Sequence, residues 1–215
     1  MIKGVLFDMD GLMLDTERIG LKAWLKAGEV LDFPVIDAEF VNLIRGRNIA
    51  DSRKIIGEKY GSLVDYDTAK AFKDKYTDDF IKENGVPVKY GLIELLNELK
   101  KRNIPSAVAT STAREKASQY LKLAGVYEYF SAMVCGDEVK HSKPDPEIFL
   151  KASKKIGVKP ENCIVLEDSP YGIEAGFKAG CMPVMIPDLT APTEKEQSLC
   201  KAILKDLSEV ISLIE

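Results

Sequence analysis

Apolar and polar positions along this chain follow two periods in turn. Short apolar runs read as strands: Val5-Leu6-Phe7, Ala107-Val108-Ala109-Thr110, Met133-Val134-Cys135, Cys163-Ile164-Val165-Leu166 and Pro183-Val184-Met185-Ile186. The unbroken run at 163–166 has the character of a strand covered on both faces. Between the strands, apolar residues recur at helical spacing, as in Leu92, Leu95, Leu96 and Leu99, and again in Ala117, Tyr120, Leu121 and Ala124. Punctuation agrees with the periods. Asn103 and Pro105 close one helix, Asp145 and Pro146 open another that ends at Gly157, and Ser169-Pro170 opens one that ends at Gly180. The alternation predicts an α/β fold with a parallel sheet and helices on both faces.

One stretch breaks the alternation. From 15 to 83 the pattern is helical throughout, with Leu21, Trp24 and Leu25 on one helix and Ala69, Phe72, Tyr76 and Phe80 on another. The expected organisation is a core of residues 1–14 and 84–215 with an all-helical insert at 15–83, rejoined through Asn84-Gly85-Val86-Pro87. An insert there lies over the carboxyl ends of the strands, where open parallel sheets bind ligands, and can serve as a lid.

Composition narrows the classes. The 215 residues are 46% hydrophobic and 30% charged, enough for a full core, with a formal net charge of −4. No basic tract interleaved with aromatics is present, so a nucleic acid polymer is not an expected partner. No apolar run approaches the roughly 20 residues that cross a bilayer, and no signal-peptide pattern precedes the first strand. A cytoplasmic protein without a membrane partner is therefore expected, and a monomer. Cys135, Cys163, Cys181 and Cys200 show no Cys-x-x-Cys spacing and read as small apolar residues in reducing surroundings.

Chemistry gathers at the strand ends. The first strand stops at two carboxylates, Asp8 and Asp10, with Gly11 next. Two like charges held close in a protein site repel by about 4 kcal/mol, which a cation offsets. Thr110-Ser111-Thr112 ends the second strand, Lys143 follows the third, and Glu167-Asp168-Ser169 ends the fourth. Right-handed crossovers bring all four segments to one edge of the sheet. There Asp8 suits a nucleophile that takes a phosphoryl group, and Asp10 a proton donor and acceptor. Thr110 and Ser111, near a helix start, suit phosphate oxygens, and Lys143 suits a fixed positive charge. The Asp8 carboxylate, the Asp10 carbonyl and Asp168 offer oxygens to Mg²⁺, with Glu167 beside or behind them. Each feature has a plainer reading: a solvated strand end, a helix cap, a loop lysine, an acidic turn entering a helix. Their order at successive strand ends favours a common site. His141, the single histidine, reads as a loop residue.

Asp8-Met9-Asp10-Gly11, Thr110-Ser111, Lys143-Pro144-Asp145-Pro146 and Glu167-Asp168-Ser169 resemble the four ordered motifs of the haloacid dehalogenase-like phosphohydrolases. The resemblance implies a Rossmann-like core, a helical-bundle cap, Mg²⁺ and an aspartyl-phosphate intermediate. It implies Asp8 as nucleophile, Asp10 as acid and base, Thr110, Ser111 and Lys143 on phosphate, and Asp8, Asp10, Glu167 and Asp168 at the metal. Within the family the chain is similar to β-phosphoglucomutases, but Gly20 and Ile49 stand where that pattern has a histidine and an arginine. It is more similar to small-metabolite phosphatases of the pseudouridine 5′-phosphatase type, which share Phe7 to Leu12, Asp15 to Arg18 and Ala109-Thr110-Ser111. The acids at 10, 167 and 168 argue against dehalogenation. In the insert, Arg45, Arg47 and Asn48 around Gly46 are candidates for the polar body of a substrate. The expected activity is hydrolysis of a small phosphorylated metabolite, a sugar phosphate or a nucleoside monophosphate. A mutase-type phosphotransferase and a non-catalytic binding module are the alternatives.

Overall fold

Six parallel strands form one sheet: β1 (Gly4–Phe7), β2 (Ser106–Ala109), β3 (Ala132–Val134), β4 (Cys163–Glu167), β5 (Met182–Met185) and β6 (Ala202–Ile203), in the order β3-β2-β1-β4-β5-β6. The computed structural model describes residues 2–45 and 47–214, so the centre of the turn expected at Gly46 lies outside the described residues. The strand order reverses beside β1, which creates the crevice where such sheets take ligands. Register fixes what meets there. Phe7 is level with Val108 on one side and Leu166 on the other, so the next residues, Asp8, Ala109 and Glu167, emerge together.

Successive strand residues point to opposite faces. Val5, Phe7 and Val108 join a core closed by α5 (Leu92–Lys101) and α6 (Arg114–Leu123). Leu6, Ala107 and Ala109 join a second core closed by α7 (Glu147–Lys155) and α8 (Pro170–Lys178). The expected stripe Leu92, Leu95, Leu96 and Leu99 is fully inside. Ser169 caps α8 by accepting the Gly172 amide at 3.1 Å, and Asp145 accepts the Glu147 amide at 2.9 Å before α7. A short helix, α9 (Glu194–Leu199), precedes β6. That strand has two residues and no apolar run to announce it. At the other edge, the Val134 carbonyl faces β2, so the Met133 carbonyl points outward. It accepts Arg114 Nη2 at 2.7 Å and Lys155 Nζ at 2.9 Å.

Between β1 and α5 the chain is helical: α1 (Thr16–Val30), α2 (Ala38–Ile44), α3 (Ile49–Tyr60) and α4 (Tyr66–Asn84). These helices carry their own apolar cluster around Trp24, Phe40, Ile56 and Tyr66, with Trp24 stacked on Tyr66 at 5.8 Å. The face of α4 differs from the expected stripe. Its buried positions are Tyr66, Ala69, Thr77 and Ile81, and Tyr76 and Phe80 are exposed, as is Leu25 on α1. Tyr66, Ala69, Thr77 and Ile81 follow one seam of the helix, and Phe72, Tyr76 and Phe80 form the neighbouring column at its margin. The chain's two crossings into and out of the insert run side by side, with Lys89 N bonded to Met13 O and Asp15 N to Pro87 O, both at 2.9 Å.

Candidate active site

The strand ends do converge. Lys143, 2% exposed, reaches across from the loop before α7 and donates to Asp8 Oδ1 at 2.5 Å, Glu167 Oε1 at 2.6 Å and the Ala109 carbonyl at 3.1 Å. Glu167 uses its other oxygen on the turn that follows β4, accepting the Asp168 and Ser169 amides at 3.1 Å and the Ser169 hydroxyl at 2.9 Å. Glu167 is thereby a clamp that holds the ammonium and the turn carrying Asp168 at once. Asp8, Glu167 and Asp168 each bring a carboxylate oxygen within 4.8 Å of the others. Gly11 makes room for this approach. It sits at φ +86°, and a Cβ there would lie 2.4 Å from Asp168 Oδ2.

Charge in this cluster is unbalanced. Three buried carboxyl groups face one ammonium, which leaves an excess of two negative charges when all three are ionised. Burial raises the Asp8 carboxyl well above its ordinary range; Lys143 opposes the rise, while Glu167 and Asp10 add to it. Burial likewise raises Asp168, reinforced by Glu167, Asp8 and Glu17. For Lys143, burial alone would lower the pKa, but Asp8 and Glu167 outweigh it and hold the ammonium charged. A hard divalent cation fits this donor set, because it takes carboxylate oxygens and its charge matches the excess.

Asp10 stands apart from Lys143 in a ring of hydroxyls. Thr16 donates to its Oδ1 at 2.6 Å; Thr112 and Thr110 donate to its Oδ2 at 2.7 and 3.2 Å. The Thr110 hydroxyl also accepts the Thr112 amide at 3.0 Å. Thr110, expected to face a phosphate, is fully buried at the cavity wall, and its hydroxyl is engaged by Asp10. Ser111 does line the cavity in front of the acids. Its carbonyl lies so close to Gly136, after β3, that a Cβ there would fall 2.0 Å from the oxygen. Thr16 and Thr112 were not singled out from sequence. The i+2 spacing of Thr110 and Thr112 on an extended chain is the signal that could have found the second.

The cavity, about 230 Å³, lies between the sheet's edge and the helical insert. Asp8, Asp10, Ser111 and Asp168 face it from below, and Glu17, Trp24, Ile44, Arg45, Tyr66 and Lys73 from above. The insert is docked around its rim. Tyr120 donates to Asp78 at 2.9 Å, Lys116 pairs with Asp78 at 3.1 Å and Asp74 at 3.4 Å, and Ser142 bonds Asp51. Arg18 and Lys89 meet on Asp188 at 2.7 and 2.8 Å. The three insert candidates part company here. Arg45 faces the cavity and donates to Thr190 at 2.8 Å. Arg47 lines the cavity too, but its guanidinium lies over the Tyr171 ring at 4.5 Å. Asn48 is not among the lining residues; its side chain caps α3 by accepting the Asp51 amide at 2.9 Å.

The sequence profile of the haloacid dehalogenase-like hydrolases matches residues 5–186, from β1 through β5, including the insert and Asp8, Asp10, Thr110, Ser111, Lys143, Glu167 and Asp168, but not β6, Asp188 or Thr190. The chain belongs to the haloacid dehalogenase-like hydrolase family. Among relatives, this haloacid dehalogenase-like hydrolase is 33% identical over 186 residues to a phosphorylated carbohydrates phosphatase of Thermotoga maritima, covering 83% of this chain and 82% of that one. It is 32% identical to a probable pseudouridine-5′-phosphatase of Drosophila melanogaster, over 88% of this chain and 84% of the other. Its fold superimposes on the crystal structure of a β-phosphoglucomutase from Clostridium difficile with a TM-score of 0.80 and 25% identity, covering 98% and 93% of the two chains.

Proposed function

We propose that this hydrolase is a Mg²⁺-dependent phosphatase that moves the phosphoryl group of a small metabolite, a sugar phosphate or a nucleoside monophosphate, onto Asp8 and then to water. The observation that carries the reading is the buried bridge from Asp8 through Lys143 to Glu167, with Asp168 beside it and a cavity in front. Lys143 holds Asp8 Oδ1, and among the described residues nothing donates to Oδ2, which leaves that oxygen for attack on phosphorus. Asp8, Asp168 and the Asp10 carbonyl would hold Mg²⁺, with Glu167 fixing them from behind; the ion supplies positive charge against the phosphate oxygens and the nucleophile. Lys143 stabilises the charge that develops on the transferring group, and Ser111 meets its oxygens. Asp10 gives a proton to the departing alkoxide and later takes one from water. Its three hydroxyl neighbours accept as readily as they donate, so the ring holds either protonation state. Residues 15–83 act as a cap that excludes water while this happens.

A panel of small phosphate esters with Mg²⁺ or chelator tests the reading. Release of inorganic phosphate is expected only with the metal, and Asp8→Asn is expected to lower kcat by about 10³-fold or more. Turnover retained in Asp8→Asn would remove Asp8 as the nucleophile.

An isomerising phosphotransferase is the second reading, favoured by the likeness to the β-phosphoglucomutase. Gly20 and Ile49 weigh against it. Gly20 has no side chain to reach a second phosphate, the nearest group above it being Lys73 Cε at 3.5 Å from a Cβ built there, and Ile49 lines the cavity without a charge. Conversion of β-glucose 1-phosphate to glucose 6-phosphate without net phosphate release is the outcome that would favour it.

A further inference from the structure

One wall of the cavity holds a pair of polar groups that the reaction at Asp8 does not use. Glu17, in the first turn of α1, is mostly buried, and its Oε2 lies 3.3 Å from Arg45 Nε. That contact lacks hydrogen-bond geometry. Arg45 Nε is a buried donor without a hydrogen-bond partner, although the side chain is nine-tenths buried and its other end is anchored on Thr190. No donor among the described residues forms a hydrogen bond to the Glu17 carboxylate, so its capacity to accept is open on the cavity side. Buried polar groups are almost always satisfied, and an exception in a cavity wall points to a missing partner.

The surroundings say which partner. Asp10 and Asp188 face Glu17 with like charge, Arg45 and Lys73 with opposite charge, and burial combined with Asp10 pushes its carboxyl up to about 7. A second anion would be repelled. An apolar group would leave both Glu17 and Arg45 unsatisfied. A hydroxyl fits, because it donates to a carboxylate and brings no charge.

We propose that Glu17 is a specificity-determining residue that accepts a hydrogen bond from a hydroxyl on the carbon skeleton of the substrate, and that Arg45 is the positioning residue that aims it. The proposal rests on the phosphatase reading and narrows it to polyhydroxylated phosphate esters, such as phosphorylated sugars and polyols, over aryl or simple alkyl esters. Arg45 reaches Glu17 from the insert while bonded to Thr190 of the sheet unit, so the carboxylate is aimed only when the insert is docked.

The test compares kcat/KM for glucose 6-phosphate and for 4-nitrophenyl phosphate, which has no hydroxyl, in the full chain with Mg²⁺. In Glu17→Gln the ratio of the two is expected to fall by about 10- to 100-fold, mainly through KM for the sugar phosphate. Arg45→Met is expected to move the ratio in the same direction and Arg45→Lys to restore part of it. Equal losses on both esters, or an unchanged ratio in folded Glu17→Gln, would overturn the proposal. So would a parent enzyme that hydrolyses 4-nitrophenyl phosphate but no sugar or polyol phosphate. A parent inactive on every ester, with Mg²⁺ present, would instead sink the phosphatase reading beneath it.

Discussion

At the scale of the residue, Glu17 links specificity to stability. Its carboxyl titrates near pH 7 when folded against about 4.5 ordinarily, so the folded chain binds this proton more tightly than the unfolded one. The stability it costs is nil below about pH 4.5, grows as pH rises, and is complete above about pH 7. Glu17→Gln removes that cost. The variant is expected to be more stable than the parent by on the order of 2 to 3 kcal/mol above pH 7, with the gain vanishing toward pH 4.5, as read by urea unfolding in chelator. A gain that persists unchanged in acid would contradict the assignment. Asp8, Lys143, Glu167 and Asp168 were legible in sequence because each ends a strand or follows one. The ring around Asp10 was not, because Thr110 and Thr112 meet that acid from about a hundred residues away; their i+2 spacing places the two hydroxyls together but does not name the acid they hold. Glu167 was legible as an acid at the site, but its clamp on Lys143 and on the 168–169 turn needed coordinates.

At the scale of the element, strands buried on both faces read clearly and helix faces less so. The α5 stripe was legible because one sheet face determines it. On α4 the expected stripe was right at Ala69 and then followed the neighbouring column: Phe72, Tyr76 and Phe80 are as apolar as a core stripe, yet α1 packs along the Tyr66–Ile81 seam. β6 escaped because two residues carry no period. The join between β3 and the Thr110–Thr112 segment offers an element-level test. Gly136→Ala drives a methyl into the Ser111 backbone carbonyl, which cannot swing aside as a side chain would. Loss of kcat by about 10-fold or more, with a lowered Tm, is expected from kinetics and thermal unfolding. Wild-type kinetics in this variant would show that the Ser111 backbone position is immaterial.

For the whole molecule, the decisive relation is between the insert and the sheet unit, and it was the least legible. The pattern announced a helical stretch over the strand ends but not its docking, which is made by long-range polar pairs: Lys116 and Tyr120 on α6 against Asp74 and Asp78 on α4, Arg18 on Asp188, and Lys89 on Asp15. Such rim pairs contribute roughly 0.2 to 1 kcal/mol each and weaken as salt rises. Lys116→Met removes the charge that pairs with Asp74 and Asp78 and that lies 5.6 Å from the Tyr120 ring centroid. It is expected to raise KM about two- to five-fold and to flatten the dependence of KM on salt that the parent shows; a parent KM indifferent to salt would mean these pairs do not set the docked population. The lateral borders of the sheet carry another consequence. With the outward carbonyl of Met133 already taken by Arg114 and Lys155, and the far border only two residues long, an arriving strand finds little to pair with. The protein is thus guarded against edge-on stacking into aggregates when it is concentrated or refolded.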